Sequence, residues 1–210
     1  MGIKERKEKE KNERRQQIQQ AAKELFMLKG FRLATMEDIA RKAELSPATI
    51  YLYFKNKEEL YCSLNLIGLQ YLSDEIKKIR VNKQLTAEEK ILQFKDAMYK
   101  SFLRDPLRLK VMIHIQMEDI LLSLDKKLLK HLNSIGRDIM NMIANTYEEG
   151  VCQGKFIEGD KMACADIIWG MFAGLVLWEE SKSKINPKKN FLKPTLDRAF
   201  DIFIHGIRKE

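Results

Sequence analysis

Apolar residues recur at helical spacing through almost the whole chain, and that period decides the fold class before any other feature. Ile18, Ala21, Ala22, Leu25 and Phe26 fall at i, i+3, i+4, i+7 and i+8, one stripe of a helix that stops at Lys29-Gly30. No stretch alternates apolar and polar residues long enough for a sheet, and only four prolines interrupt 210 residues. Helix starts repeat along the chain. Thr35 before Met36, Glu37 and Asp38 opens a short helix through Ala43. Ser46-Pro47 opens another, and Asn56 with Glu59 a third that runs to about Arg80. Thr86 begins one carrying Ile91, Phe94, Met98 and Phe102, and Asp105-Pro106 one through Val111, Ile115 and Ile120. Asp125 starts a long helix ending near Gly150 to Gly154, and two more run from Asp160 to Ser183 and from Pro187 to Lys209. The expectation is an all-α protein of about nine helices.

Residues 35–54 hold two of these helices, each too brief to be stable alone, joined by a tight turn at Glu44-Leu45-Ser46. Such a pair needs a third helix to pack on, and the stripe from Ile18 to Phe26 supplies it. Three small helices with a three-residue turn between the second and third make a helix-turn-helix. At about 100° per residue, Ile50 and Phe54 face inward with Leu45 and Ile39, while Ala48, Thr49 and Leu52 point the opposite way. Tyr51 and Tyr53 lie on the flanks between those faces. A helix with a small or neutral outer face enters a major groove about 12 Å wide, and flanking hydroxyls reach the phosphate walls. Lys57, at the start of the next helix, adds a cation where helix amides favour phosphate. The competing reading makes Tyr51, Tyr53 and Phe54 core aromatics under a loop, and Thr35 and Ser46 caps only.

The stretch from Thr35 to Leu60, TMEDIARKAELSPATIYLYFKNKEEL, resembles the DNA-binding signature of the TetR family, and Ala21-Ala22, Leu25-Phe26 and Gly30-Phe31 resemble its first helix. The resemblance covers about residues 15–62 and implies an N-terminal three-helix helix-turn-helix DNA-binding domain plus a larger helical ligand-binding and dimerisation domain. The expected division is a charged extension over 1–14, frayed helix or disordered; a DNA-binding domain over 15–60; and the second domain over 61–210. By resemblance Thr35, Ser46, Tyr51, Tyr53 and Lys57 lie on the phosphate side, and Pro47, Ala48, Thr49 and Leu52 nearest the base edges. Two residues depart from the family pattern. Glu44 stands where a turn glycine is usual, at some strain cost if the backbone is left-handed. Ala48 replaces a frequent glycine, improves helix propensity and offers a methyl to a thymine.

The helix holding Ile167, Ile168, Trp169, Met171, Phe172, Leu175, Val176 and Trp178 is apolar nearly all round, with Gly170 and Gly174 permitting close approach of another helix. The last helix aligns Leu192, Leu196, Ala199, Phe200, Phe203, Ile204 and Ile207. Covering both within one chain is difficult, so the pair is expected to meet its copy across a twofold axis through Ile168, Phe172, Leu175, Leu196, Phe200, Phe203, Ile204 and Ile207. The alternative is an intrachain core. The resemblance also implies a small-molecule pocket in the central region. The candidates are Phe94, Met98, Phe102, Met112, Ile115, Met140, Ile143, Tyr147, Trp169 and Phe172, for a small apolar or amphipathic effector. Methionine suits irregular apolar sites, although ordinary core packing accounts for such residues equally well. Met117 shares that spacing, and His114 and Glu118, four apart, are pocket groups or a surface pair.

A net charge of +8 and a pI near 9.3 point weakly to an anionic partner. Cys62, Cys152 and Cys164 are odd in number and lack paired spacing, so neither a disulfide framework nor a zinc site is expected, and His131 and His205 are too isolated for a metal. The charged start has no apolar core of a signal peptide, and the uncharged run from Ile167 to Trp178 is too short to cross a bilayer. A cytoplasmic protein without a membrane partner follows. No nucleophile elbow, phosphate-binding loop, zinc-protease or dinucleotide motif is present, so neither an enzyme nor a cofactor is expected. The expected function is a DNA-binding regulator, a ligand-responsive repressor acting as a homodimer on a palindromic double-stranded operator. The alternatives are a regulator with no small-molecule ligand and a helical adaptor that binds protein instead of DNA, which leaves Tyr51, Tyr53 and Lys57 idle.

Overall fold

The computed structural model describes residues 2–107, 111, 124–186 and 190–209. Among them run eight helices: α1 (Ile3–Leu33), α2 (Met36–Lys42), α3 (Pro47–Tyr51), α4 (Lys57–Val81), α5 (Ala87–Arg104), α6 (Lys126–Cys152), α7 (Lys161–Ile185) and α8 (Leu192–Ile207). Most of the helix expected from Asp105, with Met112, His114, Ile115, Met117, Glu118 and Ile120, lies outside the described residues. The chain divides into two compact units, residues 1–68 with 105–132 and residues 69–104 with 133–210. The expected boundary after residue 60 falls inside α4.

The charged leader, expected to be frayed helix or disordered, forms about the first three turns of α1. Its composition hides good local chemistry. Arg6 pairs with Glu10 at 3.1 Å and Lys9 with Glu13 at 3.8 Å, both at i,i+4, and Glu5 accepts the Gly2 amide at 2.8 Å. Gly30, at φ 78°, breaks the helix near its end, a backbone state that glycine adopts without penalty.

In the first unit, Ile18, Ala22 and Phe26 of α1 are buried together with Ile39 and Ala40 of α2, Ile50 of α3, Phe54, and Leu60, Tyr61 and Cys62 of α4. Tyr61 meets Phe26 edge-on at 5.1 Å and Phe31 at 4.4 Å. Burial pushes the Cys62 thiol up to about 12, helped by the nearby Glu58 charge.

In the second unit α8 packs on α7 and α5. Ile91, Phe94 and Met98 of α5, Ile139, Ile143 and Tyr147 of α6, Ile168, Phe172 and Val176 of α7, and Leu196, Phe200 and Ile204 of α8 are all buried. Two buried lysines tie the helices: Lys90 to Glu149 at 2.7 Å, and Lys95 to Asp197. Gly150 is forced by its neighbour, since a Cβ there lies 2.1 Å from the Phe156 ring. Beyond Phe156, Ile157 donates its amide to Ile207 at 2.8 Å and Lys209 donates to Lys155 at 2.9 Å, which pins the C-terminal end of α8.

Six of the eight residues expected at a dimer interface (Ile168, Phe172, Leu196, Phe200, Ile204 and Ile207) are buried inside their own chain, and Leu175 and Phe203 are half-buried. The stripe chosen by spacing is the one that turns inward. The large apolar residues that α7 leaves exposed are Met162, Ile167, Leu177, Trp178 and Ile185, on the helix that also carries the open Gly170 and Gly174, and α8 leaves Ile202 exposed. Among the described residues α7 alone has the length and mean composition of a bilayer span, although its uncharged run from Ile167 to Trp178 is too short for one. Of its 18-residue apolar stretch, 28% is buried within the chain. Of the pocket candidates, Phe94, Met98, Ile143, Tyr147 and Phe172 are buried, and Phe102, Met140 and Trp169 half-buried, all in the second unit. Met112 and Ile115 lie outside the described residues.

Candidate nucleic-acid interface

A five-residue helix does not hold itself, so α3 must be fastened at both ends. At its start, the Ser46 hydroxyl accepts the Thr49 amide at 3.1 Å and shares a hydrogen bond with the Thr49 hydroxyl at 2.8 Å, with Pro47 preset at the first helical position. Ile50 at 0% and Phe54 at 1% exposure anchor its inner side. Before it, Glu44 takes φ 55°, the left-handed value expected of a glycine position, and Leu45 donates to the Ala40 carbonyl at 2.9 Å. The turn therefore keeps its geometry at a steric cost carried by Glu44.

Two side chains of α1 complete the clamp. Arg15 donates to the Tyr53 carbonyl at 3.2 Å and lies over the Phe54 ring at 4.2 Å. Gln17 donates to the Ala43 carbonyl at 2.8 Å, just before the turn. Neither residue stands out in the sequence, because the contacts span 38 and 26 residues.

Helix α2 is fixed as its residue pattern requires. The Thr35 hydroxyl accepts the Asp38 amide at 3.1 Å, and the Asp38 carboxylate accepts the Thr35 amide at 3.3 Å. Asp38 also pairs with Lys29. The Lys29 contact first, and the Thr35 contact next, hold the Asp38 carboxyl down at about 2.

With the inner side anchored, the outer side is left to solvent. Leu52 is 82% and Tyr51 48% exposed. Thr35, Ser46, Pro47 and Ala48 are exposed as well, and Thr49 and Tyr53 are half-buried. Leu52, Ala48 and Pro47 present a small, uncharged surface flanked by the two phenols, the shape that enters a groove lined with phosphates. Lys57 makes its contacts within the domain. Its ammonium donates to the carbonyls of Phe31 at 2.9 Å and Ala34 at 3.0 Å and lies over the Phe31 ring at 4.4 Å. It braces the end of α1 and satisfies carbonyls that the helix leaves open.

Residues 18–64, which span this site, match the family described as bacterial regulatory proteins, tetR family. Over nearly its whole length the chain is similar to a fatty acid metabolism regulator protein of Bacillus subtilis, 28% identical over 96% of this chain and all of that one. Among solved structures, a TetR family transcriptional regulator, PfmR, of Thermus thermophilus superposes with a TM-score of 0.73 at 20% identity, covering 90% of this chain and 97% of that one. The transcriptional regulator FadR of Bacillus subtilis, in complex with stearoyl-CoA, does so with a TM-score of 0.70 at 24% identity, covering 91% and 98%.

Proposed function

We propose that this chain, which belongs to the TetR family of bacterial regulatory proteins, acts as a homodimeric repressor that releases a palindromic operator when an acyl-chain ligand binds its second unit. It is a DNA-binding transcriptional regulator with a helix-turn-helix, and the carrying observation is the outward side of α3. A helix pinned by Arg15, Gln17, Ser46 and Phe54 yet bare on its other side is built to present that side. In this reading Tyr51, Tyr53, Thr35 and Ser46 approach phosphates, and Pro47, Ala48, Thr49 and Leu52 lie along the base edges.

A half-site reader needs a twin, with recognition helices one duplex turn apart, about 34–36 Å. The apolar residues left outside on α7 and α8 support a face for that twin: Ile167 and Trp178 share α7 with glycines that allow close helix approach, and Phe191, Pro194, Ala199 and Ile202 line one open depression. Ile202→Glu is expected to yield a monomer by sedimentation. A dimer of unchanged strength places the contact elsewhere.

The ligand class rests on two supports. The full-length relative is a fatty acid metabolism regulator, and a structural neighbour holds stearoyl-CoA. The second unit supplies apolar side chains in plenty, Phe94, Met98, Ile143 and Phe172 among them. A ligand shifts DNA affinity only by as much as it prefers one state of the protein over the other. The test is anisotropy of a fluorescent duplex, its sequence chosen by repeated selection on the full-length protein. Duplex binding that weakens with salt and is reversed by stearoyl-CoA, but not by coenzyme A alone, supports the reading. Binding indifferent to both removes the effector assignment, and no duplex retained at low salt removes the regulator itself.

A further inference from the structure

The DNA-facing surface does not end with α3. As α1 runs back beyond the domain, its helical phase places Lys4, Lys7, Lys11 and Arg14 within an arc of about 80° centred on the direction of buried Ile18. Inside the domain that direction meets the core. Over the leader the same direction carries four cations and no carboxylate. The four acids of residues 2–15 lie off the arc, and three are engaged: Glu5 with the Gly2 amide, Glu10 with Arg6 at 3.1 Å and Glu13 with Lys9 at 3.8 Å. Lys7 and Lys11 have no carboxylate partner among the described residues, and Arg14 is bonded only to the neutral Gln17 amide, at 2.9 Å. All three are exposed, and together with Glu10, whose carboxylate is paired with Arg6, and Tyr53, the phenol just beyond α3, they line one open concavity.

We infer that this basic stripe is a second duplex contact, in which Lys4, Lys7, Lys11 and Arg14 hold the sugar-phosphate backbone flanking the half-site read by α3. The inference rests on the regulator reading above. Charge decides the occupant, because an unneutralised row of cations continuous with a phosphate-side tyrosine matches a polyanion that is already in place. Length fits too. Lys4 to Arg14 spans about 15 Å of helix, a little under half a turn of duplex. The carboxylates on the other sides of α1 restrict the attraction to one side and keep the leader from being a general polycation. No base contact is implied, so the stripe adds affinity without sequence preference.

The test compares two full-length variants of equal charge, Lys7→Gln with Lys11→Gln on the inner arc and Arg6→Gln with Lys9→Gln outside it. Each is titrated against a selected duplex with long flanks, the same duplex trimmed to its half-sites, and an unrelated long duplex. The inner variant is expected to lower the slope of log affinity against log salt by about 2 on both long duplexes. Its affinity falls at least tenfold on each, the ratio between them is preserved, and it matches the native chain on the trimmed duplex. The outer variant keeps the native slope, and circular dichroism reports the same helix content in both. An unchanged slope in the inner variant, or an equal loss in the outer one, overturns the stripe while leaving α3 as the reader. A native protein that retains none of these duplexes at low salt overturns both.

Discussion

The two units hold themselves together by different means. In the first, a few polar contacts decide where the short helices point: Gln17 on the Ala43 carbonyl, Arg15 on the Tyr53 carbonyl, Ser46 on the Thr49 amide, and Lys57 on the end of α1. In the second, long helices bury Phe94, Ile143, Phe172 and Phe200, and the lysine pairs of Lys90 and Lys95 join helices that packing already sets side by side. A surface meant to read a ligand outside the protein must leave its best side chains uncovered, so the first unit draws its order from clamps behind that surface. An apolar body gains from covering everything it can. Substitutions should therefore separate cleanly, moving stability in one unit and recognition in the other.

The largest effect is expected in the body. Phe200→Ala empties a site with no solvent exposure and should cost about 3–5 kcal/mol in urea denaturation. A loss below about 1 kcal/mol would mean that the second unit is loosely packed, and the contrast fails. Next come the outward residues of the head. Thr49→Arg and Tyr51→Ala should each reduce operator affinity by roughly tenfold to a hundredfold, or about 1–3 kcal/mol, with the melting temperature unchanged in Tyr51→Ala, whose side chain fastens nothing among the described residues. If its melting falls instead, that residue holds the fold and α3 loses its role as the reader.

Smaller changes sharpen the comparison within the head. Glu44→Gly relieves a left-handed residue and should raise stability by roughly 0.5–1 kcal/mol, the steric relief of about 1–2 kcal/mol being partly offset by the entropy that glycine adds to the unfolded chain. A destabilised variant would show that φ there relaxes without strain. The smallest effect lies in pH. The Asp38 carboxyl sits at about 2 against an ordinary 3.8, so its contribution is complete above that ordinary value and is lost as pH falls toward 2. Asp38→Asn should melt below the native chain at neutral pH and converge with it between these values. A gap that persists at the acid end points to lost capping geometry and not to charge.

How far these features could be read from residues alone follows the same contrast. Thr35, Ser46-Pro47 and the Ile50–Phe54 spacing act within a few residues of one another, so the sequence discloses α2, α3 and the direction of their sides. Arg15 and Gln17 act across 38 and 26 residues, and nothing local marks them. Lys57 shows the converse, a cation whose type suggests phosphate and whose nearest oxygens are carbonyls of its own domain. On α7, Ile167 and Ile168 are neighbours of equal hydrophobicity, yet one is half open to solvent and the other fully buried. A helix apolar all round carries no phase from which to choose between them. In the leader, total charge carries less information than spacing, which pairs Arg6 with Glu10 and leaves Lys7 and Lys11 on another side.

Photo-cross-linking from position 52 tests the reader most directly. A diazirine amino acid replaces Leu52, the exposed residue that caps the end of α3, in the otherwise native chain, and the protein is irradiated with a selected duplex. A protein–DNA adduct that unlabelled duplex of the same sequence abolishes, and unrelated duplex does not, is the predicted result. A protein that retains the duplex but cross-links only to itself would contradict the assignment of α3 as the helix in the groove.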